Sequence, residues 1–576
     1  MSETSRHVSL RRSLGPRLRR AWIGLGCCVG GGVAVALEHG FDRPVLPAIL
    51  LGPLALIATW LALALGGDIA WRSVGRDRWR STTGLIGEGL VVVAGVLDLL
   101  GVGPLMELCA VAALVHFAIR LNGLLARTMA NPSLLFPASF GVLIAVATLL
   151  LKLPAATPPD RPISWLDALF TSTSAVCVTG LAVRDTAGEF TFFGQAVILG
   201  AIQLGGLGVM IFGSTLALLF GARLSHKEHV TLSNALDEYP AHRISRFVWF
   251  IVLTTVAMEM IAALVLLAMW PGTDAAGVRL SFLDRLWQAV FHSVSAFCNA
   301  GFDVTGQSMV ALRSHPAPYL GIVPAIVMGG LGFVVLEDLF RRFVRRRGRG
   351  GARPRLSTHT KLVLVTTAAL LAIGTAVLFV AQLRTPGTPL GQRVLDAAFM
   401  SVSARTAGFN SVPMDSLAPG SEFMLMVLMA VGGSPGSTAG GMKTVVLAVL
   451  VLAVVSTVRR REEVEVFGRS LPESLVKKAA TVAFGLVAVV SGAALALDLT
   501  ESAPFDALLF EAVSAATTTG LSLGITADLS PVGRLIIICT MFLGRVGPLA
   551  VLASLIGGGG AAAGTYRLPR DNVSLG

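Results

Sequence analysis

The chain has 576 residues, of which 54% are apolar and only 14% charged. Soluble globular proteins carry about 25% charged residues, so a string of ordinary water-facing domains is excluded. Global disorder is excluded too, because apolar matter is plentiful and charge is scarce. The net charge of +12 does not mark a nucleic-acid binder. Arginines and lysines fall in short clusters between apolar runs, as membrane topology is written, and aromatics do not interleave with them as a base-stacking surface requires. The six cysteines include no CxxC pair and read as small buried hydrophobes.

Residues 1–20 form a basic cytoplasmic tail containing Arg11, Arg12, Arg17, Arg19 and Arg20. The apolar run 21–37 is followed at once by another at 45–66, with no small-residue cleavage site between them. It therefore reads as a first membrane helix rather than a cleaved signal. Residues 84–120 hold two more helices, pinched near 101–104. Further runs lie at 134–153, 191–220, 246–270, 316–340, 361–383, 420–455, 477–498 and 531–558. About 20 apolar residues cross a bilayer, so twelve spans are expected, four of them before residue 130. The loops that this topology places inside carry 33 lysines and arginines, the outer side 10. That bias puts both termini in the cytoplasm. Arg405, Lys443 and Arg545 fall within the membrane region.

Four shorter apolar segments, near 165–176, 286–297, 394–404 and 506–516, have the length of re-entrant half-helices. They end alike: LDALFTSTSAVCVTGLAV (166–183), DRLWQAVFHSVSAFCNAGFDV (284–304), LDAAFMSVSARTAGFNSV (395–412) and FDALLFEAVSAATTTGLSLGI (505–525). Each has a Ser-Ala pair followed by a glycine, and the glycines Gly180, Gly301, Gly408 and Gly520 are spaced 121, 107 and 112 residues apart. Glycine admits backbone angles that other residues resist. Carbonyls beside four such glycines can point at one axis and replace the water shell of a monovalent cation. The half-helices start with Asp167, Asp284, Asp396 and Asp506, which serve either as helix caps or as charge at an outer mouth. Ser174, Ser295, Ser403 and Ser514 read as ties for their loops.

The repeated motifs, together with GGSPGSTAGGMKT (432–444) and MFLGRVGP (541–548), resemble the TrkH/KtrB/HKT superfamily of potassium and sodium transporters. The resemblance is nearest to bacterial TrkH- or KtrB-type potassium uptake subunits and covers roughly 131–558. It implies an all-α polytopic membrane protein: four membrane-pore-membrane repeats, each helix, re-entrant half-helix, filter loop and helix, around one pore. The repeats fall at 131–225, 246–343, 361–458 and 477–558, with extra N-terminal helices at 21–130 and a cytoplasmic tail at 559–576. The implied filter residues, which would bind potassium, are Val178, Thr179, Gly180, Asn299, Ala300, Gly301, Thr406, Ala407, Gly408, Thr518, Thr519 and Gly520. Sodium-favouring plant members often carry Ser at the first glycine, so Gly180 implies potassium selectivity. Arg405 is expected to brace its loop from behind.

The stretch from Gly432 through Gly433, Ser434, Pro435, Gly436, Ser437, Thr438, Ala439 and Gly440 to Gly441 cannot hold a continuous helix. It matches the family's intramembrane gating loop, a mobile plug below the filter. It is not a nucleotide-binding loop, because Met442 separates Gly441 from Lys443 and breaks GxxxxGK. Lys443 either snorkels inward or belongs to the gate, and Arg545, costly inside a membrane, either matches the family's pore-facing arginine or pairs with a buried acid or loop carbonyls. The glycine stretches at 203–208 and 328–333 are read as tight helix packing.

The expected function is potassium uptake across the bacterial cytoplasmic membrane, with K+ as the transported ion and no covalent cofactor. The chain is not expected to be an enzyme. The resemblance implies a homodimer on a ring of cytosolic nucleotide-binding RCK-type subunits, TrkA- or KtrA-like, and the basic loops 341–355 and 459–478 are either docking faces or lipid contacts. No nucleic-acid partner is expected. A proton- or sodium-coupled symporter, with His116, Glu259 or Glu337 as the titratable group, or a sodium-permeable member of the same fold, is the alternative.

Overall fold

A computed structural model describes residues 132–221, 241–273, 278–344, 355–382 and 388–547. The N-terminal tail, the helices expected at 21–130, His116, most of the basic loop 345–354 and the C-terminal tail lie outside these described residues. The described chain is helical apart from one hairpin. Its elements are α1 (Pro132–Leu151), α2 (Trp165–Val176), α3 (Phe192–Gly221), α4 (Ala241–Met269), α5 (Phe282–Cys298), α6 (Val323–Leu331), α7 (Phe333–Val344), α8 (Thr358–Gln382) and α9 (Leu390–Ser403). There follow α10 (Pro419–Val431), α11 (Thr444–Val458), β1 (Val464–Val466), β2 (Arg469–Leu471), α12 (Glu473–Asp498), α13 (Phe505–Thr517) and α14 (Pro531–Val546).

By length and composition, Phe247–Met269, Thr358–Ala381 and Glu473–Asp498 can each cross a membrane. Their large apolar side chains face outward, as lipid-facing helices require: Leu253, Val377 and Phe484 are among the exposed ones. Inside this shell the short helices α2, α5, α9 and α13 are buried towards their C-terminal ends. Each carries a phenylalanine four residues before its Ser-Ala serine, Phe170, Phe291, Phe399 and Phe510, and all four are at most 1% exposed. The same ring therefore fills the same place in each unit. Between helices in lipid, close packing of this kind replaces the aqueous hydrophobic drive.

One expected span is not straight. The run 316–340 forms two helical pieces, Pro318–Leu331 and Phe333–Arg342, bent by 100° at Gly332. Gly332 has φ +91, and a methyl group there would sit 2.6 Å from Pro435 O. The run 420–455 likewise divides into α10 and α11. Gly432 ends α10 at φ +65 and Gly547 ends α14 at φ +89. Glycines upstream pack helices onto one another. A methyl group on Gly205, Gly329 or Gly544 would meet Val176 O at 1.9 Å, Phe297 O at 1.9 Å or Ala516 O at 2.2 Å. Each of those carbonyls lies four residues before its unit's loop glycine.

The hairpin β1–β2 occupies the basic stretch expected only as a loop. Its strands pair antiparallel with Val466 opposite Arg469. The two turn residues, Phe467 and Gly468, have φ +49 and +73, as a tight primed turn demands.

Candidate functional site: a ring of four glycine loops

The four short helices end on the same backbone device. Val178, Asn299, Thr406 and Thr518 all take positive φ, between 57° and 71° for the first three and 52° for the last. Two residues on, Gly180, Gly301, Gly408 and Gly520 have φ +92, +70, +80 and +91. Left-handed φ at β-branched Val178, Thr406 and Thr518 is strained, and strain of this kind collects at functional sites. Hydrogen bonds hold it: the amides of Thr179, Ala300, Ala407 and Thr519 donate to the carbonyls of Ser174, Ser295, Ser403 and Ser514 at 2.8–2.9 Å.

The loops close on one another. A methyl group on Gly180 would lie 2.4 Å from Ala300 O, one on Gly301 2.9 Å from Ala407 O, and one on Gly408 2.4 Å from Thr519 O. On Gly520 it would lie 2.2 Å from Thr179 O. Each glycine thus faces the carbonyl before the next unit's glycine, and the circuit returns to its start. No side chain larger than hydrogen fits at any of the four places without moving a backbone carbonyl.

The serines tie these loops down in two ways. Ser174 Oγ and Ser514 Oγ accept from the amides of Gly180 and Gly520, each at 3.0 Å. Ser295 Oγ instead donates to Phe302 O at 2.8 Å, and Ser403 Oγ donates to Phe409 O. Above the ring lies a cavity of about 480 Å³, lined by the four glycines and by Asp185, Asp303 and Asp415. Acids from three units therefore surround the entrance, where they favour cations.

The acids that open the short helices divide. Asp284 completes a capping box with Ser281, and Asp506 Oδ1 accepts from the Ala507 amide. Asp167 and Asp396 are not the helix caps expected from the sequence: Ser164 caps α2, Asp396 is the seventh residue of α9, and both carboxylates serve ion pairs between units instead. Asp167 takes Arg534 Nη1 of α14 at 2.6 Å and Arg184 Nε at 3.2 Å. Asp396, fully buried, takes Arg313 Nε at 2.7 Å. Glu189 also holds Arg184. That hydrogen bond, only partly offset by burial, and the one to Asp167 raise the Arg184 pKa above its ordinary value. The positive member of the clamp thus stays charged at physiological pH. Arg534 and Arg313 come from neighbouring units, hundreds or tens of residues away, which sequence spacing does not reveal.

Beneath the ring, residues 432–441 form a buried, non-helical loop. The Gly433 amide donates to Gly440 O at 3.3 Å, so the loop's ends meet. The loop leans on the second unit: the Ser434 amide donates to Gly330 O at 3.0 Å, and the Phe333 amide donates to Gly436 O at 2.8 Å. Thr438 Oγ1 lies 3.1 Å from both Phe297 O and Gly329 O. It also reaches the ring. The Gly440 amide donates to Thr406 Oγ1 at 3.2 Å, and a methyl group on Gly440 would meet Thr518 Oγ1 at 2.2 Å. Pro435, Ser437 and Ala439 complete its turns, with Ser437 Oγ donating to Ser434 O at 2.6 Å.

Three basic residues surround this loop. Lys443 Nζ folds back to Ala439 O at 2.5 Å. Arg405 Nε donates to Gly432 O at 3.3 Å, so Arg405 lies behind its loop and against the break below it. Arg545 Nη1 donates to Thr438 O at 2.6 Å and Nη2 to Gly205 O at 2.9 Å. One guanidinium therefore joins α14, the central loop and α3.

Comparison with known proteins agrees with this architecture. The family model described as TrkH, cation transport protein, matches residues 115–556. The Ktr system potassium uptake protein B of Bacillus subtilis is 36% identical over 432 residues, 74% of this chain and 93% of that protein. The potassium/sodium uptake protein NtpJ of Enterococcus hirae is 32% identical, covering 78% of this chain and 98% of that one. The crystal structure of the potassium transporter TrkH from Vibrio parahaemolyticus superposes with a TM-score of 0.57 over 87% of this chain and 97% of that chain. At 18% identity, that superposition speaks for the fold alone. The chain is a multi-pass protein of the bacterial cytoplasmic membrane, a transporter and not an enzyme, and it belongs to the TrkH cation transport family.

Proposed function

We propose that this protein takes up potassium through a single pore made by four membrane-pore-membrane repeats, with the glycine ring as its selectivity filter. The observation that carries the reading is the closed circuit Gly180, Gly301, Gly408, Gly520, in which each glycine faces a carbonyl of the next loop. Backbone carbonyls at Val178–Thr179, Asn299–Ala300, Thr406–Ala407 and Thr518–Thr519 replace the ion's water shell. Their strained backbone is held from behind by the serines, so the ring keeps its diameter after the ion leaves. The names of the B. subtilis and E. hirae relatives support the ion assignment. The inside-negative potential contributes about 2.3 kcal/mol per charge per 100 mV, enough to draw a cation inward without a pump cycle.

The loop 432–441 acts as the gate, with Lys443 and Arg545 holding it against the ring. Its contacts to the second and fourth units give it one closed position and several bonds to break on opening. Regulation comes from cytosolic RCK-type nucleotide-binding subunits, TrkA- or KtrA-like, under a homodimer. The exposed hairpin β1–β2 and the basic residues around it offer a docking face. Potassium and sodium flux into liposomes holding the purified protein tests the function. Equal flux of the two ions would reject the filter.

A second reading is favoured by one observation. Glu259 is 8% exposed in α4, and its Oε2 accepts from Gln203 Nε2 at 3.2 Å beside Cys298, the last residue of α5. A buried carboxylate so close to the second loop suits proton-coupled symport. Of the other candidates, Glu337 pairs with Arg341 beyond the bend. A current that reverses at the potassium equilibrium potential under a pH gradient excludes obligatory coupling.

A further inference from the structure

The position three residues before each Ser-Ala serine is buried in all four short helices. It holds Thr171 in the first unit, His292 in the second, Met400 in the third and Glu511 in the fourth. Glu511 is the carboxylate of this set and is completely buried. Its Oε1 accepts from Thr526 Oγ1 at 2.5 Å. Thr526 Oγ1 is in turn 2.9 Å from Ser522 Oγ. Ser522 Oγ accepts from the Gly524 amide at 3.0 Å. Ser522 and Gly524 line the outer cavity just beyond Gly520. The second carboxylate oxygen, Oε2, has no hydrogen-bond partner.

A wholly buried carboxyl with one idle oxygen is an expensive choice for a position that Thr and Met fill elsewhere. Packing does not require it, because Phe510 beside it already supplies the apolar contact shared by all four units. What the carboxyl adds is a bridge. It joins the helix before Gly520 to residues 522 and 526 after it, so the loop is tied on both sides of its strained segment. The Ser514 latch on the Gly520 amide works from the same helix. The fourth loop also bears the gate loop, through Gly440 against Thr518. Like the third loop, whose Thr406 accepts from the Gly440 amide, it is thus a loop on which gate movement acts, and it needs an anchor independent of the gate.

We infer that Glu511 is a positioning residue for the fourth loop, setting potassium over sodium preference through Thr526 and Ser522 without touching the ion. The inference rests on reading the ring as the filter. Its test is the potassium-to-sodium flux ratio of the full chain in liposomes, measured for wild type, Glu511→Gln, Glu511→Leu and Thr526→Val. Gln keeps the acceptor oxygen and should keep the wild-type ratio. Leu keeps the bulk and removes the acceptor, and Val at 526 removes the donor. Each should lower the ratio by about tenfold, the loss expected when a hydrogen bond to a charged group is removed. The double variant Glu511→Leu/Thr526→Val should be no worse than either single one. If Glu511→Leu does not assemble, Thr526→Val, which alters only the loop end of the tie, decides the matter. A wild-type ratio in Thr526→Val overturns the inference, and so does a loss in Glu511→Gln equal to that in Glu511→Leu. A wild type that does not discriminate at all would instead remove the filter reading beneath it.

Discussion

Replacing Gly180 by serine probes the ring at a single atom. Gly180 sits at φ +92, beyond the left-handed helical region that Asn or Asp tolerates, so any L-side chain there costs about 1–3 kcal/mol of backbone strain. The new Cβ would also stand 2.4 Å from Ala300 O, where ordinary contact begins at 3.4 Å. Relief needs a retreat of about 1 Å by a carbonyl that the filter reading places on the ion. Only the second cost bears on selectivity, and Gly524 separates the two. Gly524 has φ +98 and lines the same cavity, yet a methyl group there meets nothing within 4 Å. Gly180→Ser should therefore lower the potassium-to-sodium flux ratio about 5–30-fold, corresponding to ~1–2 kcal/mol. Gly524→Ala should lower thermal stability by a similar strain and leave the ratio intact. The assay is ion flux into liposomes at a fixed membrane potential, with size-exclusion profiles confirming assembly. A wild-type ratio in assembled Gly180→Ser refutes the reasoning. An equal loss in Gly524→Ala refutes it as well, since backbone strain would then explain both.

Removing residues 434–439 should raise basal flux. The flanking Gly433 and Gly440 are already hydrogen-bonded, so the deletion closes without pulling on α10 or α11, and unchanged flux would reject the gate. Arg545→Gln should also raise flux, by about tenfold or more, because each carbonyl bond of the charged guanidinium is worth ~1.5–3 kcal/mol. Single-channel or flux recordings without the regulatory partner check this. Arg313→Ala leaves the buried Asp396 with Gln392 as its remaining side-chain donor and should cost about 3 kcal/mol of stability. It should be visible as a lowered melting temperature in detergent. Asp284→Ala removes only the exposed N3 partner of the Ser281 capping box and should cost no more than about 1 kcal/mol.

What could be read from the chain beforehand was whatever depends on near neighbours. The Ser-Ala-to-glycine spacing is short, so the four loops and their special backbone follow from local chemistry. The break at 432–441 follows from its own glycines and proline. The bend at Gly332 did not, because hydropathy averaged over 316–340 is the same for a straight span and one folded by 100°. The backbone it packs against, Pro435 O, lies about a hundred residues away. In sequence Asp167 and Asp396 look like helix caps, and nothing nearby announces Arg534 or Arg313. The repeated phenylalanine four residues before each serine was present in the quoted motifs. The Phe467-Gly468 turn lies in the basic stretch 459–478, where a glycine just after the alternating Val464 and Val466 is a hairpin signal.

The four units are alike in sequence, yet what holds them is twofold. Arg534 of the fourth unit grips Asp167 of the first, and Arg313 of the second grips Asp396 of the third. The other two acids, Asp284 and Asp506, serve their own helices. The serine latches divide along the same line: first and fourth accept from the glycine amide, second and third donate to the carbonyl after the glycine. Two independent sets of bonds thus pair the fourth unit with the first and the second with the third. The ring tolerates this because its lining is backbone. Four carbonyl groups can face one axis whether the serine behind each loop gives or takes a proton. A filter built from side chains would have needed identical residues in all four loops, and the differing pairs Val178–Thr179, Asn299–Ala300, Thr406–Ala407 and Thr518–Thr519 would have broken it. Differences between the units therefore sit behind the ring, as Glu511 in the fourth and the broken loop 432–441 in the third do.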